Sequence, residues 1–164
     1  MMKTKFLPIF LLILLIFSFL YYNIYFKQND AVFYQYNVFE NMKNDFSLKV
    51  MTYNIQHGVG VDGNLNIDRT AEVIKSSQAD IIGLNEVDTR MLRSNFQNQL
   101  KRFSERLNMN YVYGPTLNRL IGSYGNGILT KYPVNKIKNH KLPGNSEREP
   151  RGLLEAQISV SPSF

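Results

Sequence analysis

The 164-residue chain contains no cysteine. That excludes a disulfide framework and any thiolate metal site, although it does not by itself locate the protein. Internal repeats and long low-complexity stretches are missing too, so one small domain is expected rather than an array. Charge is absent from Phe6 to Phe26, where Pro8, Ser18 and Asn23 are the only interruptions of an apolar run. About 21 residues of helix reach ~30 Å, enough to cross a bilayer core. The run has no polar face, which argues against a buried soluble helix. It exceeds the usual ~7–15 residue core of a cleaved signal peptide, and no A-x-A-like site follows it. Residues 1–27 are therefore expected to be an uncleaved signal anchor, with secretion after signal cleavage as the alternative. Lys3 and Lys5 precede the run and only Lys27 stands just after it. The positive-inside rule then predicts a single-pass protein of the cell membrane, with its N-terminus cytoplasmic and its soluble part outside.

Residues 28–46 mix aromatics with Asn and Gln without a clean period and read as a stalk, with room for a short helix over Val38 to Lys43. Residues 47–164 have the length of one small domain that buries a core only marginally. The net charge of +6, from 19 basic and 13 acidic side chains, permits an anionic partner such as nucleic acid or lipid headgroups without identifying one.

The most informative stretch runs from Leu48 to Glu86. Leu48 to Tyr53 is a β-rich run ending in Asn54, and Ile81 to Leu84 is another that passes through Asn85 into Glu86. Between them, Ile67, Ala71 and Ile74 recur at helical spacing over Ile67 to Ser77, with Asn66 or Asp68 available to cap the start. A strand–helix–strand unit of standard hand brings both strand ends to one sheet edge, where Asn54 and Glu86 converge. An amide oxygen and a carboxylate suit Mg²⁺, which keeps several waters and takes few protein ligands. An Asn at a strand end also serves simply as a loop starter.

Further on, Ser94 and Gln97 have capping-box spacing ahead of a stripe of Phe96, Leu100, Phe103 and Leu107. The opposite face, Gln99, Lys101, Arg102, Glu105 and Arg106, reads as solvated. Tyr111 to Tyr113 reads as a short strand stopped by Gly114-Pro115. Gly122 to Gly127 reads as a turn leading into the apolar run Ile128-Leu129-Thr130, since a phosphate-cradling loop would open a helix. Strands are expected over Val134 to Leu142 and Leu153 to Val160. Lys131, Lys136, Lys138 and Lys141 suit either a protected edge or phosphate binding. His57 lies in the loop leaving the first strand, within reach of the cleft edge, and His140 reads as a surface residue.

TYNIQHG and IIGLNEVD, followed in order by YGNGILTKYP and EPRGLLEAQI, resemble the motifs of the endonuclease/exonuclease/phosphatase superfamily. The resemblance extends from about Leu48 to Ser159. It implies an α/β fold, the N-terminal part of a four-layer α/β/β/α sandwich (DNase I-like). It implies hydrolysis of a phosphodiester or phosphomonoester by metal-activated water. Mg²⁺ or Mn²⁺ would be held by Asn54 and Glu86, with Glu86 and Asn126 serving catalysis. Asn126 would bond substrate or orient Glu86. Arg151 would meet the phosphate, unless it pairs with Glu147 or Glu149 at the surface, and His57 would stand at the substrate's edge. Gln56 occupies a position where some members carry a carboxylate, so a second metal on this loop is not expected. Nucleic acid, phospholipid and small phosphodiesters all remain open as substrates.

The family's G-D-x-N and S-D-H segments, which supply an Asp and a His to the reaction, do not occur in this sequence. The expectation is a truncated domain over residues 47–164, inactive alone, with an inner sheet face around Val50, Ile82 and Leu84 left uncovered. The alternative is a non-catalytic, membrane-tethered binding or vestigial module.

Overall fold

The structure is a computed structural model and describes residues 13–21, 32–34, 47–145 and 148–160. Residues 13–21 form an exposed helix, α1. Among the described residues no helix is long and apolar enough to cross a membrane. The remainder of the apolar run 6–26 and the helix expected over Val38 to Lys43 lie outside the described residues. Within the expected stalk, Val32–Tyr34 forms a strand, β1.

The remaining elements are β2 (Val50–Asn54), α2 (Ile67–Ser77), β3 (Ile81–Thr89), α3 (Gln99–Leu107), β4 (Asn110–Asn118), β5 (Ser123–Thr130), β6 (Val134–Lys141) and β7 (Gly152–Ile158). Five strands make one sheet in the order β1-β4-β5-β3-β2, and β6 and β7 form a separate hairpin sheet. β2 and β3 pair in parallel, as the crossover through α2 requires, and Asn54 lies beside Asn85. The other pairings are antiparallel.

Helices α2 and α3 lie on one face of the large sheet. Ile67, Ala71 and Ile74 from α2 and Leu100 and Phe103 from α3 form one core cluster with Ile82, Leu84, Val87, Tyr111, Tyr113 and Leu129 of the strands. Asn66 caps α2 by accepting from the Arg69 N–H. Helix α3 begins later than its Ser94 signal predicts: Asn98 is the cap, accepting from the Lys101 N–H. Ser94 instead closes a 3-10 turn, and Phe96 is half exposed outside the stripe. An Asn preceding three strong helix formers outcompetes a Ser separated from them by a turn.

The β6–β7 hairpin lies against the opposite face. Asn139 of β6 donates to the Pro115 carbonyl, and a Cβ added at Gly114 would meet Asn139 and Leu154. The described residues therefore supply three layers, helices, sheet and hairpin. The outer helical layer of the expected four is not among them.

Three sequence expectations change here. Strand β4 does not stop at Gly114-Pro115 but runs on to Asn118, absorbing the proline through an irregularity between Pro115 and Leu117. Pro115 is tolerated because, among the described residues, β1 pairs with β4 only as far as Tyr113, which leaves no ladder partner on that side for its missing N–H. Strand β5 starts at Ser123, and the turn is confined to residues 119–122 with Gly122 at φ +87. Gly127 is a strand residue whose missing side chain makes room for Leu100 of α3. Finally, Ile82 and Leu84 are fully buried beneath the helices, whereas Val50 on the other face is 64% exposed. The register explains it: Val50 pairs with Ile81 and Met51 with Ile82, so Val50 and Ile82 point to opposite faces.

Denaturant unfolding should separate the two faces. Ile82→Ala is expected to cost about 2–5 kcal/mol as a buried truncation. Val50→Thr keeps a β-branched side chain at an exposed position and should stay within about 0.5 kcal/mol. Equal costs would mean that the face assignment is wrong.

Candidate active site

β2 ends at Asn54, whose side chain opens a turn. Its Oδ1 accepts the Gln56 N–H at 2.9 Å, and the chain then turns through three successive left-handed residues, Gln56 (φ +46), His57 (φ +44) and Gly58 (φ +84). The Asn54 Nδ2 is thereby aimed the other way and donates to Glu86 Oε1 at 2.9 Å. Asn54 is thus both the loop starter and the partner of Glu86. In this orientation the amide nitrogen, not the oxygen, faces Glu86, so bringing Asn54 Oδ1 onto a cation held by Glu86 calls for the amide to turn.

Glu86 is not the end of β3. The strand continues to Thr89, and the pairing with β5 slips at this point: Leu84 faces Gly127 and Val87 faces Gly125. Three steps on β3 oppose two on β5, which is a β-bulge. Glu86 sits within it at φ +61. Strict alternation from Ile82 and Leu84 would have sent Glu86 into the apolar core. The extra residue gives that place to Val87, which is fully buried, and turns Glu86 to the other side.

Asn54, Asn85, Glu86, Tyr124, Asn126, Glu149 and Arg151 line one cleft of about 380 Å³, completed by Thr116, Leu142, Pro150 and Gly152. Four expected site residues from four distant stretches therefore meet, namely Asn54, Glu86, Asn126 and Arg151. The Asn126 side chain bonds to other partners than Glu86. Its Oδ1 accepts from Asn85 Nδ2 and its Nδ2 donates to the Gly152 carbonyl, so it ties the edge of β3 to the start of β7 beside Arg151. Arg151 is exposed within the cleft wall, and its backbone carbonyl accepts from the Leu142 N–H. Glu147, weighed above as its partner, lies outside the described residues.

His57 does not line this cleft. Partial burial, and then the Arg93 charge, lower its pKa from 6.5, while Asp88 and Glu86 oppose the shift. The imidazole is therefore half-buried and within the fields of Arg93, Asp88 and Glu86. His140 is not a lone surface group: its Nε2 meets Glu155 Oε2 at 2.7 Å across the hairpin.

Several residues at the site had no signal in the sequence. Asp88 is completely buried and held by Arg93 through two bonds, Nε to Oδ2 at 2.9 Å and Nη2 to Oδ1 at 2.8 Å. The same guanidinium lies 5.0 Å from the centre of the Tyr124 ring. Burial, followed by the Glu86 charge, pushes the Tyr124 hydroxyl up to about 12, so it remains a hydrogen-bond donor throughout the physiological range. Glu149, considered only as an ion-pair partner, is a second carboxylate in the cleft. Gln99, read as solvated, is fully buried. The partners of these groups lie outside any helical or strand repeat.

Chemically, the cleft offers one carboxylate oriented by an amide, a second carboxylate, a guanidinium and an un-ionised phenol. No group of three or more His, Asp or Glu able to hold a metal occurs among the described residues. A hard cation that takes one or two carboxylates and fills its shell with water and a phosphate still fits Glu86. Glu86 Oε2 has no hydrogen-bond partner among the described residues, since Asn54 engages Oε1.

A folded-state pKa below 6.5 means that the folded chain takes up the His57 proton less readily than the unfolded one. The stability gained by keeping His57 neutral is present above about pH 6.5 and declines as pH falls from there through the folded value. An NMR titration of the His57 ring should have its midpoint below 6.5, and Glu86→Gln should lower it further by removing a charge that favours the imidazolium. An unchanged midpoint in that variant would place His57 away from Glu86.

The comparisons with known proteins bear on the family and the fold. The model of the endonuclease/exonuclease/phosphatase family matches residues 51–162. No curated protein matches. Among solved structures, an endonuclease/exonuclease/phosphatase from Beutenbergia cavernae DSM 12333 superposes with a TM-score of 0.54 at 23% identity, covering 70% of this chain and 35% of that one. An endonuclease/exonuclease/phosphatase family protein from Leptotrichia buccalis C-1013-b does so with a TM-score of 0.50 at 15% identity, covering 70% of this chain and 49% of that one. The chain thus spans between a third and a half of the length of these structures, and they share its fold. With the family model covering more than half its length, this chain belongs to the endonuclease/exonuclease/phosphatase family.

Proposed function

We propose that the chain carries the metal- and phosphate-binding part of a membrane-anchored, metal-dependent phosphoesterase. The observation that carries this reading is the convergence of Asn54, Glu86, Asn126 and Arg151 on one cleft. Glu86 would hold the divalent ion, Mg²⁺ or Mn²⁺, with Glu149 as the other carboxylate on the cleft wall. When bound, such an ion polarises a phosphate oxygen and lowers the pKa of a water. The chain's own residues orient and bind. Asn54 fixes the Glu86 carboxylate by donating to Oε1. Arg151 presents a planar fork suited to two phosphate oxygens. Asn126 sets the position of that fork by tying Gly152 to Asn85. Tyr124, kept protonated, donates towards an anionic group in the same cleft. The substrate is a phosphoester, with nucleic acid, phospholipid and small phosphodiesters all compatible with this lining.

Binding is the appropriate readout, because the G-D-x-N and S-D-H segments that give the family its further Asp and His are not among these residues. Electron paramagnetic resonance of Mn²⁺ titrated into the chain should show a bound ion. Glu86→Gln should abolish it, and Asn54→Ala should weaken it without abolishing it, since that change removes the group orienting the carboxylate rather than the carboxylate. Full Mn²⁺ binding in Glu86→Gln would refute the assignment.

The anchoring part of the proposal is supported by the uncharged run Phe6 to Phe26 and by Lys3 and Lys5 ahead of it. The intact chain should sediment with membranes, and protease added outside intact cells should digest its C-terminal part. A soluble form lacking the first 26 residues would instead favour secretion after signal cleavage.

A further inference from the structure

The bulge that aims Glu86 and the turn that follows Asn54 are both irregular pieces of backbone, and neither is held by the sheet ladder. β2 pairs with β3 only as far as Asn54 beside Asn85. Beyond that point a different segment takes up β2's place along β3: Thr89 bridges Asn98, and the Arg90 N–H donates to the Gln97 carbonyl. Gln99 stands at the junction between β2's end and this replacement. Its Oε1 accepts the Asp88 N–H at 2.9 Å, two residues past Glu86. Its Nε2 donates to the His57 carbonyl at 2.6 Å, three residues past Asn54. The side chain is 0% exposed, and Gly58 of the turn is packed so tightly that an added Cβ would meet Ile67, Leu65 and the Gln99 amide.

We infer that Gln99 is a positioning residue that clamps the Glu86 bulge to the turn behind Asn54 and so sets the Asn54–Glu86 geometry. The two groups it joins are an N–H and a C=O. A carboxamide is the uncharged side chain that satisfies both at once. A carboxylate would repel the His57 carbonyl, and an apolar side chain would leave both backbone groups buried and unpaired. Gln99 touches neither the cleft nor a ligand, so it acts only through the backbone that carries Asn54 and Glu86.

This inference rests on the reading of Glu86 as the metal-holding carboxylate, and the test separates the two. The full chain in detergent is compared with Gln99→Leu, which removes both bonds at similar volume, and with Gln99→Asn, which keeps the amide but is one methylene too short to span both partners. Ser104→Ala is the control. It removes another buried bond of α3, to the Met109 carbonyl at 2.6 Å, at the far end of the helix. Mn²⁺ affinity should fall about ten- to a hundredfold in the Gln99 variants, as is usual for residues that orient a ligand, and should stay at the wild-type value in Ser104→Ala. In parallel, the Asn54 side-chain amide signal in ¹H–¹⁵N spectra should shift in Gln99→Asn and not in Ser104→Ala. Wild-type Mn²⁺ affinity in a folded Gln99→Asn, or an equal loss in Ser104→Ala, would overturn the clamp. If the wild-type chain binds no Mn²⁺, the metal reading of Glu86 falls and the amide signal alone decides the clamp: an unmoved signal overturns it. If Gln99→Leu does not fold, Gln99→Asn carries the same two readouts.

Discussion

One inserted residue in β3 organises the site. Alternation along a strand is rigid, so a carboxylate two positions after Leu84 belongs by default to the face that the helices cover. The bulge breaks the phase once, between Leu84 and Val87. Upstream, Ile82 and Leu84 complete the core under α2 and α3, and downstream Val87 does the same, while Glu86 is released to the cleft. A non-glycine residue held at φ +61 costs roughly 1–3 kcal/mol. The strain persists because apolar burial on either side of it allows no other register, and because the same irregularity presents the acid to a ligand.

Around this bulge the chain supplies polar partners with unusual economy. Three amides engage two groups at once. Asn54 joins Gln56 to Glu86, Asn126 joins Asn85 to Gly152, and Gln99 joins Asp88 to His57. Amides suit this task because they donate and accept without carrying a charge whose burial would be costly. The one fully buried carboxylate nearby, Asp88, is matched by two bonds from Arg93, whose other face lies against Tyr124. The result is a cleft lined by Glu86, Glu149 and Arg151, with Asn54, Asn85 and Asn126 of the same lining occupied by hydrogen bonds.

The hairpin β6–β7 contributes in a different way. It makes no pairing with the five-stranded sheet and is fastened to it by side chains, Asn139 on the Pro115 carbonyl and Asn126 on that of Gly152. Arg151, at the head of β7, is delivered to the cleft by that second fastening. Close approach also explains two glycines of β5: at Gly125 an added Cβ would strike the β4 backbone, and at Gly127 it would strike Leu100. The run YGNGIL is therefore shaped by what lies above and below a strand rather than by a turn.

The sequence alone determined the strand–helix–strand unit, the cap at Asn66, the convergence of Asn54 and Glu86 on one sheet edge and the family to which the motifs point. Those features follow from periodicity and from the handedness of a crossover, which are local or topological rules. The tertiary structure alone decided the rest. It carried β3 past Glu86, buried Ile82 while exposing Val50, started α3 at Asn98 rather than Ser94, and took Gln99 from an expected wet face into the interior. It also gave the Asn54 amide nitrogen, rather than its oxygen, to Glu86. Apart from the start of α3, which a local cap sets, these depend on partners many residues away, as with Gln99 and His57 or Asn126 and Gly152, and a pattern of period two or 3.6 carries no information about a contact that the folded chain makes only once.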